Sequence, residues 1–231
     1  LEVTLVVLVL GILLALATPA WQLTMAQQEQ TYKSSTQLAR LEALLIDFAA
    51  RHHRLPCPDT NGNGHEGMNG GCNNTAVLGW LPYATLGLDP DTPFRDVVYA
   101  LHRSAGADLA QPSSGNLSPA GAGAHQARRD FLQALKTAAR APVGALPVVT
   151  GDGVRQGVID CATNPVSSPA FVLLLRGEDA DDDGRRADDL NPDTSTDSAC
   201  FAGAGRPADT AYDDSVSLVG HAYLYGQLVR L

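Results

Sequence analysis

The hydropathy pattern of this chain changes once, and early. Leu1 to Trp21 (LEVTLVVLVLGILLALATPAW) is apolar except for Glu2, Thr4 and Thr18, and after Glu2 no charge appears until Glu29. At 1.5 Å of rise per residue, about 20 apolar residues cross the hydrocarbon core of a bilayer, so this run is long enough to span one. From Gln22 the chain becomes polar without a turn signal, then places Leu38, Leu41, Leu45 and Phe48 at helical spacing. The pattern predicts one helix over 1–53, with a membrane- or filament-core half (1–21) and an amphipathic half (22–53), about 75–80 Å long in all. Arg54-Leu55-Pro56-Cys57-Pro58 should end it, because proline lacks the donor a helix needs and restricts the residue before it. A body of this size cannot bury such a rod, so half of it must lie in lipid or against other copies.

Residues 54–231 have the patterning of a single head domain. Phe94 to His102 is expected as a strand, and Ser104 to Ala124 as an aperiodic Gly/Ala/Pro/Ser loop. His125 to Ala141 places Ala127, Phe131, Leu135 and Ala138 on one face of a short helix. Further strand-like runs are Gly144 to Val149, Gly157 to Ala162, Ala170 to Leu175 and His221 to Leu231. A helix followed by mostly antiparallel strands makes the fold class α+β, with the sheet packed on the exposed half of the leading helix.

Glu2 is the anomaly in the apolar run. An ionised carboxylate in hydrocarbon costs several kcal/mol unless paired, so an intramembrane acid points to a function. A secretory signal peptide is a poorer account, since the run lacks a basic flank and a small-residue cleavage pattern before Trp21 and is too long. The run resembles the N-terminal signature of the type IV pilins and pseudopilins: Glu2 falls on the family's glutamate, Gly11 on its helix glycine and Pro19 on its helix proline. The family's first three mature residues do not precede Leu1 here. Three further segments are similar to a subgroup of large pilin-like proteins. These are the LPCP motif at Leu55 to Pro58, the G-x-LP-x-x-TLGL segment at Gly79 to Leu88, and the YDD-x-V segment at Tyr212 to Val216.

The resemblance implies a pilin fold and a structural subunit of a type IV pilus-like extracellular filament, a homopolymer joined through its N-terminal helices. It also implies a prepilin peptidase, an inner-membrane assembly platform and an assembly ATPase as partners. The chain would pass from the bacterial inner membrane to the cell surface. Two alternatives stand beside this reading: a pseudopilin or minor pilin of a type II secretion system, and a monomeric membrane-anchored periplasmic binding module. Nothing in the residues separates adhesion, motility, DNA uptake and secretion.

The formal charge of −9, with only two lysines (Lys33 and Lys136), argues against a dedicated nucleic-acid site, which needs a basic patch. Four cysteines in an exported chain suggest two disulfides rather than zinc, since no pair has CxxC spacing. Three connectivities are open; Cys57 with Cys72 and Cys161 with Cys200 costs least chain closure. No nucleophile elbow, Walker loop or HExxH is present, so no enzyme is expected.

Two loops fit D-x-[DN]-x-[DN]-G, in which alternate oxygens gather on calcium: Asp59, Asn61, Asn63 with Gly64, and Asp179, Asp181, Asp183 with Gly184. Neither has the closing glutamate at the twelfth position. The second is the stronger calcium candidate because of its carboxylate density, with Asp188, Asp189 or the Asp213-Asp214 turn available to close it; for the first, a plain Asx-turn is expected.

Overall fold

A computed structural model describes residues 32–67, 72, 75–89, 93–104, 106–112, 123–151, 161–180, 182–188, 191–193 and 198–230. The chain divides into a leading unit, Leu1–Ala39, and a compact unit, Arg40–Leu231. The apolar run 1–21, with Glu2, Gly11 and Pro19, lies outside the described residues. Among those that are described, no helix is long and apolar enough to cross a membrane.

Helix α1 covers 32–52. In the compact unit it buries Leu41, Leu45 and Phe48, three of the four residues of the stripe expected from the sequence, together with Ala49. It ends where the prolines require. His53 takes a left-handed φ of 55°, and its N–H bonds to the carbonyl of Ala49 at 2.9 Å, the capping geometry usually filled by glycine.

The main sheet has four antiparallel strands in the order β1-β2-β5-β7: β1 (Leu78–Trp80), β2 (Val97–Leu101), β5 (Phe171–Leu175) and β7 (Ser215–Val219). A second sheet, in the order β4-β3-β6, comprises β3 (Val148–Thr150), β4 (Pro165–Ser167) and β6 (Cys200–Phe201). The central strands β2 and β5 are buried almost throughout, so their sequences are unbroken apolar runs rather than alternating ones. Val98, Ala100, Val172 and Leu174 point to one face, where they form a core with Val149 and Phe201 of the second sheet. On the opposite face, Tyr99 donates to the carbonyl of Pro56 at 3.1 Å, and Ser217 donates to Glu42 of α1. The sheet therefore lies on α1, as the pattern predicts.

Two helices complete the head. α2 (Ala124–Ala138) buries Phe131, Ala134, Leu135 and Ala138. α3 (His221–Arg230) corrects the strand expected over His221 to Leu231. Its aromatic and β-branched content suggested a strand, but the residues that bury are His221, Leu224 and Leu228, a helical spacing. α3 runs antiparallel to α2: Arg128 donates to the carbonyl of Leu228 at 2.8 Å, and the Lys136 ammonium lies 5.2 Å from the Tyr225 ring centre. The strand expected at Gly144 to Val149 shortens to Val148–Thr150. Of Gly157 to Ala162, residues 157–160 lie outside the described set, and Cys161 and Ala162 are in a turn. Both disulfides take the short connectivity, Cys57–Cys72 closing 15 residues and Cys161–Cys200 closing 39.

Candidate functional site

Polar groups converge where β5 ends and β7 begins. The strands are antiparallel and Leu175 faces Ser215, so the chain leaving β5 and the Tyr212-Asp213-Asp214 turn entering β7 meet at one end of the sheet. Asp214 is buried there. Its Oδ1 accepts the Gly177 N–H at 2.9 Å, and its Oδ2 accepts the Asp188 N–H and the Asn191 side-chain amide, both at 2.9 Å. Asp188, also buried, accepts from the Ala180 N–H at 3.0 Å and the Asp213 N–H at 2.7 Å. Asp213 accepts the Glu178 N–H at 3.1 Å. Asn191 passes the network on by accepting the Ala202 N–H at 2.9 Å. The Tyr-Asp-Asp turn thus holds the loop after β5 in place, with carboxylates serving backbone donors that no strand supplies.

Burial raises the Asp214 carboxyl to about 6, and the neighbouring Asp188 charge adds to this, against hydrogen bonds from Asn191, Gly177 and Asp188 that favour ionisation. Oδ1 of Asp213 is buried without a hydrogen-bond partner and occupies the space where a β-carbon on Gly177 would sit. One oxygen from each of Asp188, Asp213 and Asp214 lies within 4.8 Å of the others, close enough to hold a metal ion.

The residues expected to bind calcium divide between two roles. Asp188 belongs to the buried triad, as do the Asp213 and Asp214 that the sequence offered only as closing ligands. Asp179 instead closes a turn, accepting from the N–H groups of Asp183 at 3.1 Å and Gly184 at 2.9 Å, and Asp183 accepts the Arg185 N–H at 2.8 Å. Gly184 supplies the left-handed φ of 84° that the turn requires. Asp181 and Asp189 lie outside the described residues. In the first loop, buried Asp59 accepts from Asn61, Gly62 and Gly64 at 2.9, 2.8 and 2.6 Å, while Asn61 and Asn63 accept from Asn63 and His65. That arrangement is a series of Asx-turns.

Two features were not legible beforehand. Glu66 is buried against Arg54 through a two-pronged ion pair at 2.6 and 2.8 Å, and it also accepts the Cys57 N–H at 2.8 Å, tying the exit of α1 to the first loop. That hydrogen-bonded pairing raises the Arg54 guanidinium above its ordinary value.

The second is a pair of buried histidines at the opposite end of the sheet. His102 follows β2 and His221 opens α3; their rings meet edge to face at 5.0 Å. Burial lowers both, His221 to about 4 with a further contribution from His102. Asp108, the acid nearest His102 in effect, is already paired with Arg103 at 2.7 Å. A histidine held below its ordinary value contributes stability above pH 6.5 that is lost as pH falls toward 4. His221→Gln should therefore gain on the native protein by about 2 kcal/mol between pH 7 and pH 4, measured by denaturant unfolding. A difference that does not change with pH would show that the pair is not held neutral.

Comparison of the chain with protein-family models, with curated proteins and with solved structures finds no match to any of them.

Proposed function

We propose that this chain is a structural subunit of a type IV pilus-like filament, made as a single-pass inner-membrane precursor and polymerised through its N-terminal helix. The observation that carries the reading is the order of parts. An apolar run headed by Glu2 leads into the amphipathic stretch of α1, followed directly by an LPCP exit and an α+β head closed by two disulfides. Prepilin peptidase, the assembly platform and the assembly ATPase are the partners this reading requires. We assign the protein no enzymatic role. A pseudopilin or minor pilin of type II secretion has the same construction and is the second reading; a monomeric anchored binding module is the third. Electron microscopy of filaments sheared from cells, with mass spectrometry of their subunit, tests all three. Long surface fibres built of this chain support the first, fibres only on forced overexpression the second, and a detergent-soluble monomer without fibres the third.

Calcium belongs to the same proposal, with its position moved to Asp188, Asp213 and Asp214. A divalent ion there would neutralise three clustered carboxylates and supply a partner for the Asp213 oxygen that has none. Affinity should rise with pH through about 6, as Asp214 gives up its proton. At calcium tenfold above its dissociation constant, the full chain in detergent should gain about 1.4 kcal/mol, or roughly 3–6 °C in melting temperature. Asp213→Asn, which keeps an oxygen for the Glu178 N–H, should abolish that gain. Equal melting with calcium and with chelator would remove calcium from the proposal.

A further inference from the structure

The charges of the head are segregated along the strands. Among the described residues, the stretch that follows β5 carries Glu178, Asp179, Asp182, Asp183, Asp188 and Asp193 against Arg185 and Arg186. Segments 124–140 and 221–230 carry Arg128, Arg129, Lys136, Arg140 and Arg230 against one acid, the buried Asp130. β7 joins the two regions. It starts at the Asp213-Asp214 turn and ends at His221, which packs on His102 beyond the far end of β2. Five strand residues span about 17 Å, so the acidic loop and the start of the basic helical layer lie at opposite ends of one sheet.

Among the described residues, the basic end also exposes apolar side chains. Tyr223 and Val229 on α3 are 56% and 52% exposed. α2 and α3 also bound a groove of about 380 Å³ whose lining includes Leu135, Lys136, Ala139, Arg140, Ala222 and Tyr225.

We propose that the α2–α3 layer of one copy docks on the acidic surface just after β5 of the next copy, with Lys136 and Arg140 set against Glu178, Asp182 and Asp183. This rests on the filament reading and gives it a head-to-head surface. The two patches are different and occupy opposite ends of the fold, so the contact is heterologous, and its repetition builds an open array rather than a closed dimer. In a chain of net charge −9, like surfaces repel; the pairing of unlike ends sets the register between subunits.

The chain has only two lysines, Lys33 and Lys136, which makes the contact directly readable. Full-length chains labelled with ¹⁴N and with ¹⁵N are mixed, allowed to associate and treated with a carbodiimide, which joins amines to carboxylates in contact. Mixed-isotope peptides linking Lys136 to Glu178, Asp182 or Asp183 are expected. Their yield should fall roughly tenfold with Arg140→Glu and recover when Arg140→Glu chains are mixed with Asp182→Arg chains, which also shows that both variants fold. Fibres without these links overturn the docking surface and leave the filament reading standing. Links without fibres support the surface and defeat the filament reading. Neither links nor fibres defeats both.

Discussion

On the filament proposal, replacing Glu2 by alanine is expected to leave the membrane-fraction level of the protein unchanged while reducing extended filaments by at least about 100-fold. That figure is the lower bound set by the about 3–5 kcal/mol it costs to remove one partner of a buried ion pair, at tenfold per about 1.4 kcal/mol in the equilibrium of subunit addition. Glu2 stands in a run with no other charge before Glu29, so nothing within that apolar segment can neutralise it. An ionised acid in that setting needs a cation from elsewhere, and in a filament the nearest source is the N-terminal amine of a neighbouring copy. A carboxylate favoured only by the positive end of its own helix predicts a much smaller effect, about 0.3–1 kcal/mol. Counting fibres by electron microscopy alongside the membrane-fraction level of the protein separates the two. Normal fibre numbers from the alanine variant would sink the pairing.

The second large effect belongs to Asp214. Asp214→Ala strips the acceptor from three donors at once, the N–H groups of Gly177 and Asp188 and the Asn191 side-chain amide. Each unmade buried hydrogen bond costs about 1–3 kcal/mol, and with partial relaxation the total should be about 3–5 kcal/mol. Hydrogen exchange at the Gly177 and Asp188 amides should rise with it, because both lose their partner. The effect also depends on pH. The Asp214 carboxyl is raised to about 6 in the folded state from 3.8, so its contribution is fully present below about pH 4 and declines as pH rises through 6. In the presence of chelator, the native protein's advantage over Asp214→Asn should therefore shrink by about 2–3 kcal/mol from pH 4 to pH 7. A loss below 1 kcal/mol for Asp214→Ala, with unchanged exchange at residues 177 and 188, would show that the turn does not hold the loop.

The same network makes Gly177 sensitive. A methyl there would overlap the Asp213 carboxylate, which is already fixed by the Glu178 N–H. Moving that carboxylate away breaks its hydrogen bond and disturbs the neighbouring Asp188 and Asp214, so the glycine and the three acids behave as one unit.

Several parts of this fold were determined by local chemistry and were readable from the residues. The end of α1 follows from prolines four and six residues after His52; the apolar face of α2 follows from its 3.6-residue spacing; the pairing of the cysteines is the one, of three open to the sequence, with the shortest loops. The Asx-turn of the first Asp/Asn/Gly loop is local in the same sense, since Asp59 reaches amides two to five residues ahead; the turn closed by Asp179 is equally local, but there calcium ligation was expected. Other features were decided by tertiary contacts. The segment from His221 has strand-like composition but folds as a helix because its place in the structure buries His221, Leu224 and Leu228 on one side. The aspartate network joins Asp214 to Gly177 and Asp188 through their backbone amides and to Asn191 through its side-chain amide, across as many as 37 residues. An amide N–H is the same at every non-proline position, so no residue identity marks it as a partner. The sequence alone could show that Asp188, Asp213 and Asp214 are acidic; only the antiparallel return of β7 beside β5 could bring them together and bury them.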